Sequence, residues 1–498
     1  MARLSHCARS LCLTVFIFLA GNAALHAREG QPPYSWSHPT KLGSNIPEKI
    51  LPSIDREQLL ANEARAEQNS SNLTKRLRIA VPNEVNINPQ HDGLWEALPN
   101  AARLWRYQIK AAGATDLHFG FSAFKLPPGA TLHFSDIAHT YFDGPYLDSD
   151  LGINNQFWSP LVPGETVEIE LYLPAHSTLA EDAVRLSYVG SGYRDMFWHS
   201  GGPGEKASGN CNIDVVCPLG DQYRNEVRAV ARYTFRDSGG TYLCSGTLVM
   251  DQPRDFKNYF LTANHCIDND AAAASMTLYW NYQSATCGAH GGGSLAQSQT
   301  GGALYRASRT DVDFSLVELN SAPPTSYNVY YAGWDVSGIA VSGSIGIHHP
   351  SGDVKAITQN TLPLLTTNSC IGSGGINSHW QTGPYAQGTT EGGSSGSAIF
   401  VPAGDSSGHQ NLIVGTLSGG EAACAGSVPN NFTDCYGKLS SAWSGGVSNA
   451  QRLQPWLDPN NTHVQTVSGG EPGTTIGSPL MSRAYYYQRP VVKPHPIQ

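Results

Sequence analysis

The segment Glu391-Gly-Gly-Ser-Ser-Gly-Ser-Ala398 runs directly into the apolar stretch Ile399-Phe400-Val401. A serine between glycines can lie on a tight turn, with its hydroxyl exposed and the neighbouring backbone N–H groups available to bind an oxyanion. The short apolar stretch that follows indicates a strand. A serine loop that leads into a strand rather than a helix favours a β architecture around this segment.

The sequence on both sides of this loop repeats the same short apolar pattern. No helix-length periodic segment separates these stretches, so an antiparallel barrel or sandwich is favoured over a parallel α/β sheet. The composition agrees, because glycine is abundant (52 of 498 residues) and Lys+Arg is scarce (31). The predicted strands lie at 243–249, 259–262, 277–280, 314–319, 345–348, 398–401 and 412–417.

Two further motifs supply partners for a reactive serine. In Leu261-Thr-Ala-Asn-His265-Cys266, a histidine follows an apolar strand and precedes a cysteine that a disulfide can anchor, which is one way to hold a general base in place. In Asp311-Val-Asp313, the second aspartate opens an alternating strand that would carry it into the interior. A buried carboxylate costs several kcal/mol unless it is paired, and orienting a histidine would retain it.

The region before residue 193 forms a second unit of different character. Residues 76–192 contain short apolar stretches between turn signals, which predict a small β-sandwich, and a short helix is expected over 56–69. The stretch 167–173 alternates apolar and polar residues, as in a strand with one solvent-exposed face. No cysteine lies between residue 28 and residue 206, so this unit is expected to fold without disulfides.

The N-terminus has the layout of a secretory signal. Arg3 and Arg9 precede the apolar stretch 11–20, and small residues lead to a cleavage site after Ala27. The apolar stretch is too short to span a membrane, and no later stretch is longer. We therefore expect residues 1–27 to be removed and the remaining protein to be secreted, extracellular or periplasmic, without a membrane anchor.

Charge excludes one class of partner. The formal net charge is -9 with histidine neutral, whereas counterion release from nucleic acid needs a basic surface. We expect no nucleic-acid binding. No metal motif of the H-E-x-x-H type occurs, His348 and His349 would point opposite ways on a strand, and 268–270 is expected to be an exposed turn rather than a calcium site. No cofactor is predicted.

Together the His, Asp and Ser motifs resemble the chymotrypsin-like serine proteases, which place these residues in that chain order. The similarity is closest to the bacterial lysyl endopeptidases, over residues 211 to about 467, with 77–192 similar to the propeptide of such enzymes. The motifs that carry it are Cys211-Asn-Ile-Asp-Val-Val-Cys-Pro218, Tyr279-Trp-Asn-Tyr-Gln283, Ala332-Gly-Trp-Asp335, Ile347-His-His-Pro350 and Trp456-Leu-Asp-Pro459.

The resemblance implies an all-β fold: two antiparallel six-stranded β-barrels preceded by the small β-sandwich. It implies four regions, namely the signal peptide 1–27, a propeptide 28–206, a protease domain 207–467 and a Pro/Gly-rich tail 468–498. The protein would be a monomeric serine endopeptidase made as a zymogen, with protein or peptide substrates and its own propeptide as partners.

The resemblance also assigns roles to residues. His265 would be the general base, Asp313 would orient it, Ser395 would be the nucleophile, and the N–H groups of Gly393 and Ser395 would form the oxyanion hole. Asp434 would lie at the base of the specificity pocket, and Ser418-Gly419-Gly420 would pair with the substrate backbone. Three disulfides map onto Cys211 with Cys424, Cys217 with Cys287, and Cys244 with Cys266; we predict a fourth between Cys370 and Cys435.

Basic specificity has support from the linker 199–210, in which Lys206 is the only Lys or Arg. Cleavage after Lys206 would release Ala207 as a new N-terminus shortly before Cys211. Lysine is the favoured residue, but the family has a histidine where Ser418 stands and a tryptophan near Cys370. An enzyme that accepts both Lys and Arg therefore stays an alternative.

Two remoter alternatives belong to other classes. The loop also matches G-x-S-x-G, the nucleophile elbow of α/β-hydrolase esterases, with Ser394 attacking. That elbow lies between a strand and a helix and precedes its Asp and His in the chain, unlike this loop. An inactive protease-like binding protein is the other alternative, although all three motifs are intact.

Overall fold

A computed structural model describes residues 25–26, 30–38, 43, 45–69, 73–197, 208–368, 371–372 and 374–472. The predicted signal peptide falls outside these residues except for Leu25–His26. Lys206, Ala207, Cys370 and the tail beyond residue 472 also lie outside them. In the described part of the chain, no helix is long and apolar enough to cross a membrane.

The N-terminal region contains twelve of the strands and two of the helices that the structure describes. The helices are α1 (Tyr34–Ser37) and α2 (Arg56–Asn69), the latter as predicted. The strands are β1 (Leu25–His26), β2 (Glu48–Ile50), β3 (Leu77–Ile87), β4 (Leu94–Ala97), β5 (Arg103–Lys110), β6 (Asp116–Phe124), β7 (Thr131–Asp136), β8 (Tyr141–Tyr146), β9 (Phe157–Trp158), β10 (Val162–Pro163), β11 (Thr166–Leu173) and β12 (Val184–Gly192).

The C-terminal region is built from short strands as well. Its α-helices are α3 (Arg224–Ala229), α4 (Asp270–Ala274), α5 (Leu439–Trp443) and α6 (Gln454–Leu457). Its strands are β13 (Ile213–Asp214), β14 (Val230–Asp237), β15 (Gly240–Leu248), β16 (Tyr259–Thr262), β17 (Thr277–Trp280), β18 (Ser298–Gln299), β19 (Ala303–Arg309), β20 (Phe314–Leu319), β21 (Trp334–Asp335), β22 (Ser344–His348), β23 (Ala356–Asn360), β24 (Leu365–Thr367), β25 (His379–Gln381), β26 (Ala398–Phe400), β27 (Ile413–Gly420), β28 (Cys424–Ala425), β29 (Val428–Pro429), β30 (Asp434–Lys438) and β31 (Thr466–Val467).

Three large sheets, mostly antiparallel, organise these strands. The first is β1-β8-β7-β11-β5-β2, with β4 beside β5. The second begins with β10-β6-β12-β3 and continues through β15-β14-β17-β18, with β16, β19 and β20 joined to it. The third is β13-β23-β22-β26-β27-β30-β25-β24. The all-β prediction is confirmed; the count of six strands per barrel and the separate sandwich stay predictions.

The N-terminal core lies between the first sheet and the N-terminal strands of the second. Phe119 on β6 and Phe134 on β7 are buried there, with their rings stacked at 4.9 Å between centroids. Strand β3 also pairs with β15, with Leu77 opposite Leu243. Because this pairing is made by backbone groups, the N-terminal region is joined to the C-terminal region by a continuous sheet.

Strand β11 differs from its prediction. Glu168 and Glu170 lie on the polar face of its alternating sequence, yet both are buried. The reason is that the segment around α1 covers this face: Glu170 accepts backbone N–H groups of Tyr34 at 2.5 Å and Ser35 at 3.1 Å. The predicted solvent-exposed face is therefore wrong for this strand, because covering it takes a contact between residues far apart in the chain.

Three disulfides hold the C-terminal region together. They join Cys211 with Cys424, Cys217 with Cys287, and Cys244 with Cys266, the pairs that the resemblance implies. The fourth predicted pair includes Cys370, which is outside the described residues, and so stays a prediction.

Candidate active site

Strand pairing brings His265 and Asp313 together. Strand β16 ends just before His265, β20 begins just after Asp313, and the two strands pair with Thr262 opposite Ser315. One carboxylate oxygen of Asp313 lies 2.8 Å from His265 Nδ1, and the other accepts the backbone N–H of His265 at 2.9 Å. Two contacts from one buried carboxylate fix both the ring and the backbone of the histidine.

Ser395 completes this group from the third sheet. Its Oγ lies 2.6 Å from His265 Nε2, and its backbone C=O accepts the N–H of Ser245 on β15 at 2.9 Å. The nucleophile and base predicted from distant segments are therefore within hydrogen-bond distance of each other. Ser395 itself is fully buried.

Two backbone N–H groups converge on one oxygen beside Ser395. Gly393 N–H donates to the C=O of Lys75 at 2.5 Å, and Ser395 N–H reaches the same oxygen at 3.4 Å. Gly393 has φ +92°, and a Cβ there would lie 2.9 Å from the backbone C=O of His349. Glycine is required at this position because both the backbone angle and the available space exclude a side chain.

The adjacent Ser394 points elsewhere. Its Oγ lies 2.8 Å from His348 Nδ1 and accepts the N–H of Glu391 at 3.0 Å. His348 and Ser394 are both fully buried. Ser394 therefore braces the loop from below, whereas Ser395 is the serine that contacts His265. This geometry does not support the elbow alternative with Ser394 as nucleophile.

Protonating His348 should weaken the protein in acid. Burial lowers the pKa of His348 from 6.5 to about 3, so between these values the unfolded chain binds a proton that the folded one does not. Stability is then lost as pH falls below about 6.5, by up to about 1.4 kcal/mol per pH unit. We expect the urea midpoint of the Ser395→Ala protein, which does not digest itself, to fall from pH 7 to pH 4.

The control for this pH effect is histidine removal at two places. His348→Gln should flatten the dependence of the urea midpoint on pH, while His91→Gln at an exposed position should leave it unchanged. An equally steep dependence in His348→Gln would contradict the assignment. His349 is also buried, and burial lowers its pKa in the same direction, so some slope will persist.

Asp434 lies at the closed end of a polar pocket. It is fully buried, and its carboxylate accepts the hydroxyl of Tyr385 at 3.0 Å, the hydroxyl of Thr390, and the N–H of Ala422 at 3.3 Å. Burial and the nearby Asp434 charge raise the pKa of Tyr385 well above its usual value, so that this hydroxyl keeps its proton. The pocket is built to hold a carboxylate as an anion.

A lysine from the N-terminal region fills this pocket. Lys75 Nζ donates to Asp434 at 2.9 Å, to the C=O of Ala422 at 2.7 Å, and to the hydroxyl and C=O of Thr390 at 2.5 and 3.2 Å. The Lys75 side chain is only 9% exposed and that of Asp434 is 0% exposed. A buried charge pair of this kind is stable only when hydrogen bonds satisfy the remaining polar atoms, as they do here.

The predicted edge Ser418-Gly419-Gly420 lies at the end of β27, beside the same segment. Gly419 forms an antiparallel bridge with Thr74, and Gly420 N–H donates to the C=O of Leu73 at 3.0 Å. A Cβ on Gly419 would lie 2.0 Å from the C=O of Leu73, so only glycine allows this close approach. The side chain of Ser418 points inward and lies 3.1 Å from His379 Nε2.

Sequence reasoning missed Lys75 and His379. Lys75 had a usable signal, because the basic pair Lys75-Arg76 directly precedes a strand in a chain with few basic residues. His379 had none; it reaches Ser418 only through the β25–β30–β27 pairing. His379 occupies the neighbourhood of Ser418, where the family pattern has its histidine, and burial lowers its pKa.

The other candidate residues have structural surroundings. His349 Nδ1 lies 3.0 Å from the C=O of Asp353, and Asn269 caps α4 by accepting the N–H of Ala272 at 2.9 Å. Among the described residues, no group of three or more His, Cys, Asp or Glu side chains is placed to hold a metal ion.

Comparisons with known proteins cover most of the chain. Residues 205–437 match the family model described as the C-terminal domain of lysyl endopeptidase, and residues 50–189 match its N-terminal domain. A lysyl endopeptidase of Pseudomonas aeruginosa is 32% identical over 393 residues, which are 74% of this chain and 79% of that protein.

Two solved structures among the matches are serine proteases. The protease Anisep from Arthrobacter nicotinovorans is 16% identical, with a TM-score of 0.31, over 43% of this chain and 91% of that one. A thermostable serine protease, AL20, from an extremophilic microorganism is 15% identical, with a TM-score of 0.29, over 43% of this chain and 92% of that one.

Proposed function

Because the chain belongs to the lysyl endopeptidase family, we propose that this serine endopeptidase cleaves proteins on the carboxyl side of lysine. The observation that carries this specificity is Lys75, whose ammonium group reaches the Asp434 carboxylate at 2.9 Å while its carbonyl oxygen faces Gly393 and Ser395. The chain itself thus contains an example of the side chain that the pocket accepts.

The geometry supports the ordinary serine-protease reaction. His265 Nε2 takes the proton of Ser395 as its oxygen attacks the carbonyl carbon, and Asp313 stabilises the imidazolium that forms. The N–H groups of Gly393 and Ser395 stabilise the oxyanion, and one such donor is typically worth about 3–4 kcal/mol. His265 then protonates the leaving amine, and water hydrolyses the acyl-enzyme.

The pocket fits an ammonium group better than a guanidinium group. The four acceptors around Lys75 Nζ lie within 3.2 Å and belong to Asp434, Ala422 and Thr390. They converge on a point, as suits the three donors of an ammonium group, whereas the planar guanidinium group is larger and presents its donors in a fork. The buried hydroxyl of Tyr385 closes the space beyond Asp434.

We expect the purified enzyme to prefer a lysyl peptide over an otherwise identical arginyl peptide by about 100-fold in kcat/KM, because arginine overfills the pocket. A norleucyl peptide should be cleaved more slowly still, since it leaves the Asp434 carboxylate buried without a cation. Comparable rates for the lysyl and arginyl peptides would favour the alternative of dual specificity. Cleavage after apolar residues would contradict the pocket assignment.

The proposal includes the precursor organisation. Residues 1–27 would direct export, 28–206 would act as a propeptide, 207–467 would form the monomeric mature protease outside the cytoplasm, and 468–498 would be a tail. Disulfides such as Cys211 with Cys424 fit an oxidising compartment. N-terminal sequencing of the mature protein should give Ala207; a start elsewhere would contradict cleavage after Lys206.

A further inference from the structure

We infer that the Lys75–Arg76 peptide bond is a cleavage site for the chain's own Ser395, cut within the same molecule. This inference rests on the proposed function and identifies an intramolecular substrate for it. The segment Leu73–Leu77 is named here the cleft segment. It lies far in sequence from the processing site predicted after Lys206.

The residues before the bond are held as a substrate would be. Leu73 C=O accepts the N–H of Gly420, and Thr74 bridges Gly419 in the antiparallel direction. The next side chain, Lys75, then enters the Asp434 pocket. Antiparallel pairing followed by one buried specificity side chain is the way an extended peptide docks on an exposed strand edge.

The reacting carbonyl group is also in place. The oxygen of Lys75 accepts the N–H of Gly393 at 2.5 Å and lies 3.4 Å from the N of Ser395. At the same time, Ser395 Oγ lies 2.6 Å from His265 Nε2. The donors that would stabilise an oxyanion are thus engaged by this particular carbonyl group, and the base is already hydrogen-bonded to the nucleophile.

The residues after the bond are anchored too. Arg76 donates to Asp237 at 3.0 Å and to the C=O of His265 at 3.3 Å, and its guanidinium lies 4.4 Å from the ring centroid of Tyr242. From Leu77 onward, β3 pairs with β15. The cleft segment therefore crosses the site with both sides of the Lys75–Arg76 bond held by contacts.

The chemical step needs only the chain and water. Ser395 Oγ bonds to the carbonyl carbon of Lys75 while its proton passes to His265. The bond from that carbon to the nitrogen of Arg76 breaks, and His265 returns the proton to this nitrogen. Water then releases a carboxylate at Lys75 and restores Ser395. Because both partners belong to one molecule, the rate should be independent of protein concentration.

Cleavage would open the pocket without freeing the rest of the N-terminal region. Strand β3 begins at Leu77, so its pairing with β15 and β12 lies wholly after the cut bond. The fragment that starts at Arg76 should stay docked after the cut, while the fragment that ends at Lys75 loses its covalent link to β3. Until Lys75 leaves, it occupies the pocket that an external lysyl substrate needs.

The test follows the full-length chain after refolding, with mass spectrometry of the new N-termini. The wild-type chain should yield a fragment that begins at Arg76, with a first-order rate that does not change on dilution, and Ser395→Ala should yield none. Lys75→Gln should slow this cut by about 100-fold, because it leaves Asp434 without its cation. The control Lys125→Ala removes a lysine that is 67% exposed in the same region and should cut at the wild-type rate.

The outcomes separate this inference from the proposed function. A chain that cleaves an added lysyl peptide yet keeps the Lys75–Arg76 bond intact would overturn the inference alone. A chain that cleaves neither would overturn the proposed function. A rate that rises with protein concentration would overturn cleavage within the same molecule. Should Lys75→Gln fail to fold, the comparison of wild type with Ser395→Ala still decides whether the bond is cut by Ser395.

Discussion

Replacing Ser395 by alanine is expected to lower kcat for a lysyl peptide by roughly 10⁶-fold, the scale seen when a catalytic serine is removed from such a triad. The physical reason is that no other hydroxyl lies on His265 Nε2, which is 2.6 Å from Ser395 Oγ. The loss should appear in kcat much more than in KM, because the pocket around Asp434 is unchanged. Steady-state kinetics on the mature protein measure it.

Covalent labelling separates Ser395 from its neighbour. A phosphonylating reagent should modify Ser395 and leave Ser394 unmodified, because Ser394 is hydrogen-bonded to His348 rather than to His265. Peptide mapping by mass spectrometry locates the adduct. An adduct on Ser394 would support the esterase alternative, and a protein that is neither labelled nor active would support an inactive binding protein.

Replacing Asp434 by asparagine should have the second largest effect. Removing one partner of a buried, hydrogen-bonded charge pair costs about 3–5 kcal/mol, which is roughly 10²–10⁴-fold in kcat/KM for a lysyl peptide. Asparagine has nearly the same shape, so Tyr385 and Ala422 should keep the pocket formed. Cleavage of a norleucyl peptide should fall much less than that of the lysyl peptide, because it has no cation to lose.

The matched control is Glu421→Gln. Glu421 is exposed and adjacent in sequence to Ala422, so this change removes the same formal charge close to the pocket but outside it. Exposed charges contribute little, and we expect less than about a threefold change in kcat/KM. Equal losses in Glu421→Gln and Asp434→Asn would mean that net charge, and not a specific contact in the pocket, governs the preference for lysine.

Local patterns carried the fold class because they depend only on neighbours in the chain. Short apolar stretches separated by glycine-rich turns predict β structure wherever the strands later pair. The same patterns could not reveal the pairing of β3 with β15, nor that Glu168 and Glu170 on β11 are buried. Those features arise when distant segments come together, and a strand's own alternation does not specify what covers it.

The sequence by itself determined the all-β class and the candidate set of His265, Asp313, Ser395 and Asp434. Each of these residues lies in a motif whose chemistry can be recognised one segment at a time. Only the tertiary structure decided that Ser395 rather than Ser394 lies on His265, and that Lys75 occupies the Asp434 pocket. The physical reason is that hydrogen bonds and buried ion pairs depend on distances of about 3 Å between side chains, and folding alone sets such distances for residues more than 300 positions apart, such as Lys75 and Asp434.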